Sequence, residues 1–221
     1  MKKETKKERK KEKRETTNQL LKLILPSKGI NFFVMTILIL GILSGAIFLM
    51  MSSEVDKNSV IEQIESFFLS VDKGSIDNGL ALRNSLIINY VFVGVIFVMG
   101  LSMIGIIVNI FLTYIKGFLV GFSIASIVLT YSYKGLPAVI LYTFPTQVFN
   151  VIVVSVLAIY SIMFALNLLK IIVSKKNTNN RFMLKKYMVI FMFCIILSFI
   201  SSLLEVYFFP NVLKLFISIY S

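Results

Sequence analysis

The sequence predicts an all-α, polytopic integral membrane protein with about five transmembrane helices, N-terminus cytoplasmic and C-terminus extracytoplasmic. Three observations predict it. Hydrophobic residues fill 57% of the 221 positions and charged residues only 15%, against roughly 25% charged in soluble domains. Five runs are apolar for long enough to cross a bilayer, which takes about twenty residues per helix. The 23 Lys and Arg concentrate in alternate segments between those runs.

Residues 1–29 read as a basic cytoplasmic tail. Met1–Lys28 carries eleven Lys/Arg and four Glu with no apolar periodicity, the composition of a disordered, solvated segment. Because a span follows at once, the expected partner of this tail is anionic membrane lipid and not nucleic acid. The first span, Ile30–Met51, is longer than the roughly seven to fifteen residues of a signal-peptide core and lacks an Ala-x-Ala-like site after it, so it is expected to stay as an anchor.

Ser52–Ser85 is the one sizeable soluble loop, acidic through Glu54, Asp56, Glu62, Glu65, Asp72 and Asp77. Ser59-Val60-Ile61-Glu62 fits a capping box. After it Ile61, Ile64, Phe67, Phe68 and Val71 fall on one helical face. That face reads as an amphipathic helix lying on the membrane or the bundle, or as a docking surface for an extracytoplasmic partner. Ile61, Ile64, Phe67 and Phe68 are its docking candidates.

Spans two and three are expected at about Leu86–Leu112 and Phe118–Tyr133. Between Leu86 and Tyr133 the only charge is Lys116, and a single helix of that length would far exceed the bilayer. A tight turn at Tyr114–Gly117 resolves this, with Lys116 snorkelling to the headgroups and Gly117 freeing the backbone. Spans four and five are expected at about Thr146–Leu169 and Met188–Phe208. The transmembrane domain is then 30–208, followed by a short extracytoplasmic tail, 209–221. Gly135, Pro137 and Pro145 interrupt the apolar run before span four, as in a re-entrant piece.

This arrangement puts eighteen Lys/Arg inside (eleven in the tail, Lys116, and six from Lys170 to Lys186) and five outside. That is the asymmetry of the positive-inside bias.

No catalytic, cofactor-binding or metal-ligating set is expected. The chain has no histidine, the commonest general base and metal ligand. Its single cysteine, Cys194, lies in an apolar run and reads as a small buried hydrophobe. Glu62 and Glu65 sit on an exposed flank without positioning groups. Gly41-x-x-x-Gly45 and Gly117-x-x-x-Gly121-x-x-x-Ala125 permit close helix approach, within one chain or between copies in a homo-oligomer. Ionisable groups are sparse within the spans, Glu205 near the end of span five being the main one, joined by Asn109, Asn150 and Asn167. Ion-coupled transporters place such groups near midplane.

Lys116-Gly117-Phe118-x-x-Gly121-Phe122, followed by Lys134-Gly135-Leu136 and Pro145, resembles the stage II sporulation protein M family. Gly41, Gly45, Phe67-Phe68 and Ser102-x-x-Gly105 fit the same resemblance, which covers about Phe32 to Tyr207. After Pro145 the chain reads Thr146-Gln147-Val148, where the family commonly has polar residues and then Leu. The resemblance implies a non-enzymatic membrane scaffold without cofactors. It would act with two peptidoglycan-degrading partners, sporulation proteins D and P, in septal wall thinning and forespore engulfment, from the mother-cell membrane. A permease or channel subunit is the alternative, which would need an ATPase partner because the chain has no P-loop.

Overall fold

The computed structural model describes residues 28–174 and 180–220. The basic tail expected at 1–29 therefore lies almost wholly outside the described residues, as do Lys175 and Lys176. The elements in order are α1 (Lys28–Met51), α2 (Glu54–Asp72), α3 (Asn78–Gly100) and α4 (Gly105–Tyr131). A 3-10 turn (Ser132–Gly135), one α turn (Leu136–Ala138) and a π turn (Val139–Thr143) lead into α5 (Phe144–Ser174). Then come α6 (Asn180–Leu203), a second π turn (Leu204–Phe208) and α7 (Phe209–Tyr220). There is no strand among the described residues.

Four helical stretches are long and apolar enough to cross a membrane: Lys28–Met51, Asn78–Gly100, Gly105–Val173 and Arg181–Lys214. The third has 69 residues, about 100 Å of helix at 1.5 Å per residue, against a hydrocarbon core of about 30 Å. It is doubled back on itself. Ser132 adopts φ 50°, a left-handed conformation that no helix interior contains, and beyond it α5 returns along α4. Counted by arm, the membrane-length helices are α1, α3, α4, α5 and α6.

The turn between spans two and three is not where the sequence placed it. Lys116 and Gly117 lie inside the unbroken helix α4. The chain reverses at Leu101–Ile104, where the Gly105 N–H donates to Ser102 Oγ at 3.1 Å. A serine and a glycine three apart make the reversal because the hydroxyl caps the new helix while Gly105 lets the Met99 carbonyl pass where a Cβ would be. Gly117 is spent on packing instead. With Lys116 inside a span, seventeen Lys/Arg remain on the side assigned to the cytoplasm against five on the other, so the charge argument survives the move.

α2 also begins earlier than its expected capping box. Ser53 is the N-cap, accepting from the Asp56 N–H at 3.3 Å, and Ser59 lies within the helix. Residues from 209, expected as a short tail, form α7, and Leu213 on it is fully buried.

Each π turn ends two residues before a proline, Pro145 in one case and Pro210 in the other. Proline has no N–H, and its ring presses on the carbonyl four residues back. The preceding turn widens, so that the Phe144 N–H reaches Val139 O and the Phe209 N–H reaches Leu204 O.

Two apolar clusters hold the chain together. The larger joins α1, α3, α5 and α6 around Val34, Ile96, Leu157, Tyr187 and Cys194. The smaller joins α2, α4, the turns after α4 and α7 around Phe68, Val71, Ile127, Val139 and Leu213. It seals the apolar stripe of α2 onto the end of the bundle.

Candidate functional site

Two constellations of residues stand out. The first is the crossing of α1 and α4. A Cβ at Gly41 would overlap the Tyr114 carbonyl oxygen, and one at Gly45 the Phe118 carbonyl. From the other side, Gly117 and Gly121 face the carbonyls of Leu38 and Ile42. The two glycine pairs thus meet each other, backbone to backbone, inside one chain. Phe118 and Phe122 flank the crossing and pack on Phe48, with ring centroids 5.5 and 6.5 Å away.

The second constellation is polar and is drawn from five elements. At one end, Tyr187 Oη donates towards the carbonyls of Ile96 and Phe97, at 3.2 and 3.1 Å. These lie near the C-terminal end of α3, where the Phe97 carbonyl is among the last four that have no i+4 donor inside the helix. Gly100 leaves the space that Ser161 Oγ and Tyr187 Oη occupy, and Asn109 Nδ2 donates to that same Ser161. Farther along, Ser201 donates to Asn150 Oδ1 at 3.0 Å. Asn89 Nδ2 donates to Ser202 Oγ at 3.0 Å. At the far end Ser85 Oγ donates to Glu205 Oε2 at 2.8 Å.

Lys116 lies between these ends and is 6% exposed, the only charged residue among the buried ones described. Its Nζ sits 5.5 Å from the centroid of the Phe92 ring on α3, a cation–π distance. Among the described residues no carboxylate comes within ion-pair distance of it. Glu205 is the acid whose field reaches it. The expectation that Lys116 snorkels from a turn to the headgroups is therefore corrected: it is buried inside a span.

Beside Glu205 a cavity of about 230 Å³ opens under α2. Phe67, Phe68 and Ile64 form one wall, Phe122 and Ser126 of α4 another, and Tyr142, Thr146 and Gln147 a third. Both π turns reach it, the first with Tyr142 and Thr143 and the second with Glu205.

The docking candidates take their places here. Phe68 is buried and its ring is 4.9 Å from that of Tyr131, while Phe67 is 5.7 Å from Tyr142. Ile64 packs in the same cluster, and Ile61 is half-buried. The face of α2 left open carries Glu62, Glu65, Ser66 and Leu69, along a shallow groove. Of the remaining motif residues, Gly135 lies against the Ile127 carbonyl. Pro145 stands at the second position of α5, where the absence of an N–H is tolerated. Among the described residues no group of three or more His, Cys, Asp or Glu could hold a metal ion.

The fold and its sites define a multi-pass helical membrane protein with a capped, polar-cored bundle. The family model of stage II sporulation protein M matches residues 34–210. The chain belongs to that family, a family of sporulation-related membrane proteins. Neither curated proteins nor solved structures gave a match.

Proposed function

We propose that this protein is a non-enzymatic membrane scaffold. It anchors peptidoglycan-degrading partners, the sporulation proteins D and P, in the mother-cell membrane at the engulfing septum. One observation carries this reading beyond family membership. α2 is a 19-residue helix held by its apolar stripe to the end of the bundle, with its acidic flank left open. Such a fixed, polar platform outside the bilayer suits protein capture, because its groups need no further ordering on binding. The test is affinity capture of the tagged protein from sporulating cells in mild detergent, with mass spectrometry. Wall-degrading enzymes are expected, and a deletion strain is expected to grow normally but stall at engulfment. Recovery of neither enzyme sinks the proposal.

A second reading, a permease or channel subunit, draws on a specific observation: Lys116 is buried within a span on a line of polar side chains. Intramembrane ionisable groups commonly mark ion or proton paths. Capture of a cytoplasmic ATPase in place of wall enzymes, with a growth defect in dividing cells, selects this reading.

A further inference from the structure

We infer that the cavity beneath α2 is a binding site for the cationic side chain of an extracytoplasmic partner, an arginine or lysine held against Glu205. This deepens the scaffold reading and rests on it for the partner being a polypeptide.

The argument begins with Glu205. It is half-buried, accepts one hydrogen bond from Ser85, and has no ion pair among the described residues. Lys116 feels the field of Glu205 but stands beyond ion-pair distance, so no cation touches this half-buried carboxylate. Withdrawing it from water without a contacting counter-charge is costly, and a site that keeps one is suited to a cation.

The other fixed polar groups agree. Ser126 Oγ donates its hydrogen to the Phe122 carbonyl at 2.8 Å, and Ser123 Oγ to that of Leu119 at 2.8 Å. Thr146 Oγ1 lies 2.9 and 3.0 Å from the carbonyls of Thr143 and Tyr142. With their hydrogens spent, these hydroxyls offer the cavity only lone pairs. The groups that can still donate, Tyr142 Oη and the amides of Gln63 and Gln147, are rotatable. A site rich in acceptors calls for a donor-only guest, and Lys and Arg carry donors and no acceptor. Phe67 and Phe122 line the cavity as well, and aromatic rings attract a cation placed over their faces.

Size and surroundings select among cations. At about 230 Å³ the cavity is below the roughly 300–1,000 Å³ of pockets for drug-sized ligands, and suits one long side chain. Residues 52–85 carry six acids against three basic residues, in a protein of net charge +12. That local excess repels a lipid phosphate and attracts a basic polypeptide. Two π turns bordering one cavity add weight, since such turns recur at functional sites.

The test uses full-length Gln147→Cys protein in phosphatidylcholine nanodiscs. Cys194 is fully buried and serves as the unlabelled internal thiol. Maleimide labelling is timed with N-acetyl-arginine methylamide, with its neutral citrulline isostere, and with sodium chloride at matched ionic strength. The arginine derivative is expected to slow labelling at least threefold and saturably, while citrulline and salt leave it unchanged. Glu205→Gln is expected to abolish the protection and Glu205→Asp to keep part of it. Equal protection by citrulline, by salt, or by none of the three overturns the inference, as does undiminished protection in Glu205→Gln. If Glu205→Gln is not monodisperse, the arginine–citrulline comparison decides alone. Slowed labelling in phosphatidylethanolamine nanodiscs without any probe assigns the cavity to a lipid amine, and also overturns it. The assay contains no wall enzyme, so its failure and failure of the capture experiment are separate results.

Discussion

The α1–α4 crossing and the polar line from Tyr187 to Glu205 solve opposite problems. At the crossing, glycines bring two backbones together with nothing polar to satisfy, and the gain is shape alone. Along the polar line, hydroxyls, amides and two charges must each find a partner, and the buried Asn109 Oδ1 has none among the described residues. In lipid there is no water exclusion to drive helices together, so both solutions are open to a membrane protein. The first fixes one geometry. The second costs stability, and such a cost is tolerated where function needs the groups.

Of four substitutions, the one at Gly45 breaks the comparison most severely. Leu at this position forces a side chain into the Phe118 carbonyl, and overpacking of this kind costs about 3 kcal/mol. Gly45→Leu is expected to lower the thermal midpoint in detergent and to lose the monodisperse peak; an unchanged midpoint would show that the crossing yields. Lys116→Met cuts the other way. Replacing a buried charge that lacks a close partner by an apolar residue of similar length is expected to stabilise the fold by about 1–2 kcal/mol, read as a raised midpoint. If the midpoint falls, Lys116 is held by its surroundings more strongly than Phe92 and the field of Glu205 account for. Ser53→Ala, at the cap of α2, is expected to cost about 1 kcal/mol, measured as faster hydrogen exchange in the first turn of that helix. Ser85→Ala is the mildest: one intramembrane hydrogen bond averages about 0.6 kcal/mol. A larger drop would show that Glu205 depends on Ser85 for its position.

The same contrast explains what was legible in the sequence. Small residues four apart on each of two spans are a local signal of close helix approach, but that the two glycine pairs meet each other is visible only in the fold. The spans themselves were readable from apolar length. The polar line was not, because Ser85, Asn89, Asn109, Ser161, Tyr187 and Ser202 are scattered over more than a hundred positions and meet only in the fold. Lys116 misleads because a lysine in an apolar run ordinarily marks a boundary. The true reversal, Ser102 to Gly105, carries no charge and so no strong signal. The π turns do carry a cue in the sequence: Tyr142-Thr143-Phe144-Pro145 and Tyr207-Phe208-Phe209-Pro210 share the same aromatic-proline ending.

The join between α1 and α2 is only Ser52 and Ser53, and five residues separate α2 from α3. Neither connection has slack. A tug on α2 is therefore passed at once to two membrane-length helices of 24 and 23 residues, which resist like a staple with both legs sunk in the bilayer. Under the scaffold proposal, anything that grips α2 would be moored to the membrane at two points.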